Sequence, residues 1–475
     1  MGTLDTGILV TYLLLLLLLG LYANYRQKNV DDYYVAGRRL GPFTIACLWL
    51  ASWVGGASIV GAAARAYDLG ITAVWYVTAF AIGCLLFGLF LAARIKRMGD
   101  ASQHLTYPDF IEQHYDGRTR VVATVTTVLA FTAYAAGQLM AAGAILQVLL
   151  GWNYEQSLVL ASAIVIVYTA SGGYLAVTYT DWLQLILLFA GVVVIGMPIA
   201  IQQAGSWADL QAALPAGHFD LGALGWGKVA ALVASIVLAF FVAMDSYSRS
   251  FAARSEKSAR NGALLAAAFM LPIAIGATWL GLAAAVLFPD VENSGGILTH
   301  FILETFPVGL KGIALVGILA ALMSTSDICI LTASANYTRD IHQRFLQPDI
   351  GERQMLRLGI AASTVFGVLS ALMAWKMQDI IGVLQLGFTI NGAALFLPTI
   401  AALFWQRKDA TAAFWSICLS LTAVLTWRIA PSMGAGGIFT LDPLWPGLLV
   451  SVVVFLALTR LRAAGSARVQ PALGD

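Results

Sequence analysis

The chain has 475 residues, of which 60% are hydrophobic and 11% charged, with a formal net charge of +2. Soluble chains carry roughly 25% charged residues, so the composition excludes a water-soluble fold, and the small net charge excludes nucleic acid or a strongly acidic partner. Cys47, Cys84, Cys329 and Cys418 all sit in apolar runs without metal-ligand spacing, which argues against a disulfide framework or a cysteine metal site.

A bilayer crossing takes about 20 apolar residues, and about thirteen segments reach that scale: 6–24, 42–66, 71–95, 120–149, 156–176, 179–201, 227–250, 261–288, 308–337, 355–376, 379–405, 410–430 and 443–462. The first lacks a basic leader and a small-residue cleavage site, so it reads as a span and not as a signal peptide. No stretch between the runs is long enough to fold separately, so residues 1–475 form one transmembrane domain. Basic residues fall on alternate loops: Arg26 to Arg39, Arg94 to Arg120, Arg254 to Arg260, Arg339 to Arg357, Arg407 with Lys408, and Arg460 to Arg468. By the positive-inside rule this predicts an odd number of spans, N-terminus outside and C-terminus inside. Loops this short leave no room for a catalytic domain, and no Gly-rich phosphate loop marks an ATP-driven pump.

Lipid offers no hydrogen bonds, so broken backbone and charged side chains persist at membrane depth only where they face protein or a watery site. In the second span, LWLASWVGGASIVGAAARAY, Gly55 and Gly56 flanked by Ser52 and Ser58 permit either an unwound helix with exposed carbonyls or close packing through small residues. The sixth span opens with Asp181, which either favours the helix dipole at a helix start or serves a site. Asp245 and Arg249 end the seventh span four residues apart on one helical face, as an internal ion pair or with Asp245 turned to a ligand. The ninth span carries Ser324, Thr325, Ser326 and Asp327 in succession. At about 100° per residue, Ala321, Ser324, Thr325 and Ile328 share a stripe, with Asp327 one step round. Hydroxyls there either bond back to their own helix or join carbonyls around a hard cation such as Na⁺.

Three segments, ASWVGGASIVGAAARAY, GGYLAVTYTDWLQ and LAALMSTSDICILTASANYTRDIHQ, resemble in order the corresponding segments of the sodium:solute symporter family, which includes proline, pantothenate, sialic acid and sugar symporters. The resemblance covers residues from about 30 to about 410 and is closest in these motifs to the high-affinity choline transporter branch. It implies an all-α polytopic membrane protein with a leucine-transporter-like fold. Five helices repeat in inverted orientation over about 42–405, after one extra helix at 6–24 and before two more over about 410–462. Carried over, the principal Na⁺ site would use the carbonyls of Ala51, Val54 and Ala321 and the hydroxyls of Ser324 and Thr325. A second cation site would involve Asp181, Ser324, Asp327 and Ile328. There a carboxylate replaces the hydroxyl other branches carry at 327, so one or two Na⁺, or a shared proton, stay open.

By the same resemblance Trp53, Ser58, Tyr134, Asp245 and Gln385 line the substrate cavity. Two aromatic positions of the choline cage are Ile82 and Ala243 here, so the cation–π box for a quaternary ammonium is half present. Asp245 suits a primary or secondary ammonium instead. The sequence therefore predicts a Na⁺-coupled symporter that imports an amino acid or amine by alternating access across a bacterial inner membrane. It implies neither an organic cofactor nor an obligate protein partner. A proton-coupled symporter and a membrane solute sensor are the competing readings.

Overall fold

The computed structural model describes residues 2–26, 39–102, 106–377, 379–406 and 408–468; the side chains of 170–184 lie outside the description. Among the described residues there is no β-strand, only an isolated bridge between Leu40 and Ala253. The helices run in order as α1 (Thr3–Arg26), α2 (Pro42–Trp53), α3 (Gly56–Leu69), α4 (Val74–Phe90), α5 (Ala92–Ser102), α6 (Tyr107–His114) and α7 (Gly117–Leu150). Next come α8 (Tyr154–Phe189), α9 (Met197–Ala204), α10 (Trp207–Ala213), α11 (Trp226–Phe240), α12 (Met244–Ala252) and α13 (Glu256–Leu287). The chain ends with α14 (Ile297–Thr305), α15 (Leu310–Ala335), α16 (Glu352–Lys376), α17 (Ile380–Phe404), α18 (Ala410–Ile429) and α19 (Leu444–Arg468).

Among the described residues nine helical stretches are long and apolar enough to cross a membrane, ten if α11 and α12, bent by 43°, count as one broken span. The other expected crossings fall on α1, on the broken pair α2 and α3, and on α8. The sequence places a turn near residue 177, but the backbone is helical from Tyr154 to Phe189, then continues through a π-helical turn, Ala190–Gly196, into α9. No proline interrupts this stretch before Pro198, and glycines alone do not stop a helix whose surroundings are apolar.

Two helix groups enclose the centre. In one, α13 packs on α4, α2 and α3; in the other, α15 packs on α8 and α7, while α17 bridges α7 and α11. The most apolar window of the α15 span is 94% buried, against 22% for α19. A helix apolar on all sides is stable either inside a bundle or against lipid, and α15 takes the first place.

Both ends of α15 are fastened. At its start Asp5 of α1, fully buried, accepts from the free amides of Gly309 at 2.7 Å and Gly312 at 3.0 Å, a cap supplied by another helix. Beyond its other end buried Arg120 of α7 pairs with Asp340, with Glu112, and with Asp109 at 2.8 Å. Burial pulls the Glu112 carboxyl up, but hydrogen bonds from Arg120 and Arg344 outweigh it and hold it below its ordinary value.

Candidate functional site

The second span is broken between α2 and α3. Val54 leaves the helix at φ −100°, ψ 60°, and Gly55 is extended at φ −72°, ψ 168°. Neither torsion demands glycine; the approach of α15 does. A Cβ on Gly55 would lie 2.4 Å from Thr325 Oγ1 and 3.0 Å from Gln138 Oε1, and one on Gly56 would lie 2.5 Å from the Ile318 carbonyl. Unwinding and close packing, alternatives in the sequence, occur together. We expect Gly55→Ala to cost about 1 kcal/mol or more by overpacking, weakening any ion bound at the break roughly fivefold. Gly227→Ala, where a Cβ meets nothing within 4 Å, is the control, and the Na⁺ dependence of uptake in the two variants is the measurement.

At the break the Thr325 hydroxyl lies 3.0 Å from the Ala51 carbonyl and 2.9 Å from that of Ala321. A hydroxyl has one proton to donate, so two carbonyls converge on a group that serves one of them at a time. Three oxygens with a single proton form a cluster rich in lone pairs, which a small cation satisfies. Ser324 is buried one residue earlier. Ser326 bonds back to the Leu322 carbonyl at 2.7 Å, so back-bonding accounts for that hydroxyl.

Asp327 is 1% exposed and accepts from Thr169 of α8. Thr169 is a partner the sequence did not suggest. Ile328 and Ser324 flank this group on α15. Asp181 lies on α8, and its side chain is outside the described residues.

Beside the break is a narrow cleft with about 30 Å³ of free space, on the scale of one water's share of the liquid. Ser52, Trp53 and Ser58 line it from the broken span, Phe131, Tyr134 and Gln138 from α7, and Asp245 from α12; Thr325, Ile328 and Cys329 of α15 face Leu384 and Phe388 of α17. Trp53 stacks on Phe240 at 3.6 Å between ring centroids, and Tyr134 lies 4.7 Å from Phe388. This aromatic wall owes nothing to positions 82 and 243. Asp245 Oδ1, Trp53 Nε1 and Tyr134 Oη are buried without a well-formed hydrogen bond; Trp53 faces Asp245 and Asn391 faces Tyr134, so the cleft concentrates polar groups whose pairing is incomplete.

Asp245 stands in the first turn of α12 because the seventh span is also broken, at 241–243, with Ala243 extended at φ −66°, ψ 136°. Arg249 does not pair with Asp245. Its Nε donates to the Leu48 carbonyl at 3.0 Å and its guanidinium also donates to Ser52 Oγ, both on α2.

Gln385, predicted on the cavity wall, stands away from it. Leu384 and Phe388, four residues apart, take the cavity-facing stripe of α17, and one residue further on is a rotation of about 100°. The Gln385 amide instead donates to Asp442 at 3.1 Å, whose carboxyl burial raises above its ordinary value. Conversely, Gln138 lines the cleft and accepts from the Ala57 amide at 3.2 Å, at the start of α3. A lone glutamine within AAGQLMAAG at membrane depth was the available signal.

A profile of the sodium:solute symporter family matches residues 33–420. The chain belongs to this family. Similar proteins include the high-affinity proline transporter PutP of Bacillus subtilis, 24% identical with 97% of this chain and 98% of the relative covered. The sodium/proline symporter of Escherichia coli is 24% identical, with 97% and 95% covered. Among solved structures a Na⁺-coupled sialic acid symporter superimposes with a TM-score of 0.77 at 22% identity, covering 97% of this chain and 98% of that one. Mhp1, a nucleobase-cation-symport-1 family transporter, gives 0.62 at 17% identity, covering 92% and 96%. The fold is thus that of the leucine-transporter-like symporters. As a sodium:solute symporter the chain is a transporter that couples Na⁺ to the movement of a small organic solute. It is a multi-pass protein of the bacterial cytoplasmic membrane.

Proposed function

We propose that this symporter imports a small amino or imino acid, or a related amine, with Na⁺ held at the broken second span. The carbonyls of Ala51, Val54 and Ala321 and the hydroxyls of Ser324 and Thr325 form its principal ion site. The observation that carries this reading is the Thr325 hydroxyl facing the carbonyls of both Ala51 and Ala321. Bound Na⁺ replaces the sharing of one proton between two carbonyls and ties the break to α15. The state that holds Na⁺ then becomes the state that holds solute, which is coupling as a difference in affinity between states.

Solute sits against Trp53, Ser58 and Tyr134, with its cationic nitrogen at Asp245. The carboxylate of Asp245 selects charge, and the aromatic wall selects an apolar body. The naming of relatives as proline transporters agrees with a secondary ammonium on a compact ring. Asp327, with Ser324 and Ile328, is the place for a second Na⁺ or a proton, with Asp181 as the further ligand.

The test is uptake of labelled L-proline into proteoliposomes, with other amino acids and choline as competitors. Accumulation should require an inward Na⁺ gradient, and choline should compete weakly. Undiminished uptake with K⁺ replacing Na⁺ and no pH gradient would refute sodium coupling. Uptake restored by a pH gradient without Na⁺ assigns Asp327 or Asp245 to a proton.

A further inference from the structure

Arg249 is 1% exposed, and a guanidinium remains charged in proteins. A buried charge at membrane depth is costly and calls for a function. The local solution was available, because Asp245 lies four residues earlier on the same face. Yet Arg249 turns away from it and reaches across to α2, where it bonds the Leu48 carbonyl and Ser52 Oγ; a further contact joins it to Ser248 Oγ at 3.4 Å. The last turn of α2 carries the negative end of its helix dipole, which favours a cation.

Two consequences follow from this placement. Asp245, which lines the cleft, is left without Arg249 as an ion-pair partner. The half-helix bearing Asp245 is also fastened to the half-helix whose end supplies the Ala51 and Val54 carbonyls. Leu48 is three residues from Ala51, and Ser52 is its neighbour. At their far ends the same two helices are joined by backbone bonds, Leu40 N to the Ala252 carbonyl at 3.0 Å and Arg254 N to the Leu40 carbonyl at 2.9 Å. Those bonds hold the ends remote from the breaks, and Arg249, from the last turn of α12, reaches along it to Leu48 and Ser52 in the second half of α2.

We infer that Arg249 is a positioning residue that carries the coupling between the two sites: solute at Asp245 fixes α12, and Arg249 transmits that order to the α2 carbonyls that bind Na⁺. It touches neither ligand. The inference rests on the assignment of Asp245 to solute and of the Ala51, Ala321 and Thr325 oxygens to Na⁺. By reciprocity, Na⁺ must tighten solute by the factor with which solute tightens Na⁺.

The experiment measures Na⁺ binding to detergent-solubilised full-length protein, by radioactive sodium in a scintillation proximity assay, with and without saturating L-proline. In the wild type, L-proline should lower the Na⁺ concentration for half-saturation about tenfold, within the usual range of coupling. In Arg249→Lys, which keeps charge but not the forked reach, and in Arg249→Gln, which keeps donors but not the charge, that factor should fall to about twofold or less. Each ligand alone should still bind. A structural role alone would weaken both ligands or the fold and leave the ratio intact. Wild-type coupling in folded Arg249→Lys and Arg249→Gln overturns the role of Arg249. Wild-type protein that binds L-proline with no response to Na⁺ overturns the transport reading itself.

Discussion

The double substitution Ser324→Ala with Thr325→Val should raise the Na⁺ concentration needed for half-maximal uptake about a hundredfold or more, with little change in the maximal rate at saturating Na⁺. Interactions of neutral oxygens with a charged partner are each worth about 1.5–3 kcal/mol, and every 1.4 kcal/mol is a factor of about ten. Valine fills the volume of threonine, so the close seat of Gly55 against residue 325 is preserved. Nor does a helix depend on these hydroxyls for its backbone bonds, and the Ala321 carbonyl keeps its place in the α15 ladder. The melting temperature should accordingly move by a few degrees at most. Na⁺-dependent uptake in proteoliposomes, read alongside thermal stability, decides the matter. An unchanged Na⁺ requirement in a stable double variant would mean that Thr325 only bonds its own helix and α2.

The broken second span and the hydroxyl cluster that faces it were legible in the sequence because their ingredients are rare at membrane depth. Paired glycines in one apolar run and a cluster of hydroxyls in another are local signals; that Thr325 meets the Ala51 carbonyl was implied by the family resemblance and not by either run alone. The second break was not legible. FFVAM contains neither glycine nor proline, so nothing local ends α11. An inverted repeat offered the missing signal, since the seventh span holds in the second repeat the place that the broken second span holds in the first. Gln385 shows the limit of position-by-position transfer, for an offset of one residue on α17 turns a side chain from the cleft to Asp442. Arg249 shows a different limit. Spacing paired it with Asp245, but the carbonyl end of α2, remote in sequence, offers it acceptors that no local pattern reveals.

Asp245→Asn should abolish most solute binding while leaving Na⁺ affinity in the absence of solute nearly unchanged. Truncating one partner of a buried, hydrogen-bonded charge pair costs about 2–5 kcal/mol, so affinity for L-proline should fall at least thirtyfold. The stability forecast separates this role from the ion-pair alternative. Breaking a buried pair on one side costs about 3–5 kcal/mol, which would lower the melting temperature sharply. Among the described residues no ion pair joins Asp245 to Arg249, whose donors go to α2 and to Ser248. Asparagine keeps the shape and removes the charge, so the protein should melt within a few degrees of the wild type. Both quantities are to be measured on one sample. A collapse of melting temperature with normal L-proline affinity in the surviving protein would return Asp245 to a structural role, and a neutral solute of the same shape that binds wild type as well as L-proline does would remove its claim to select charge.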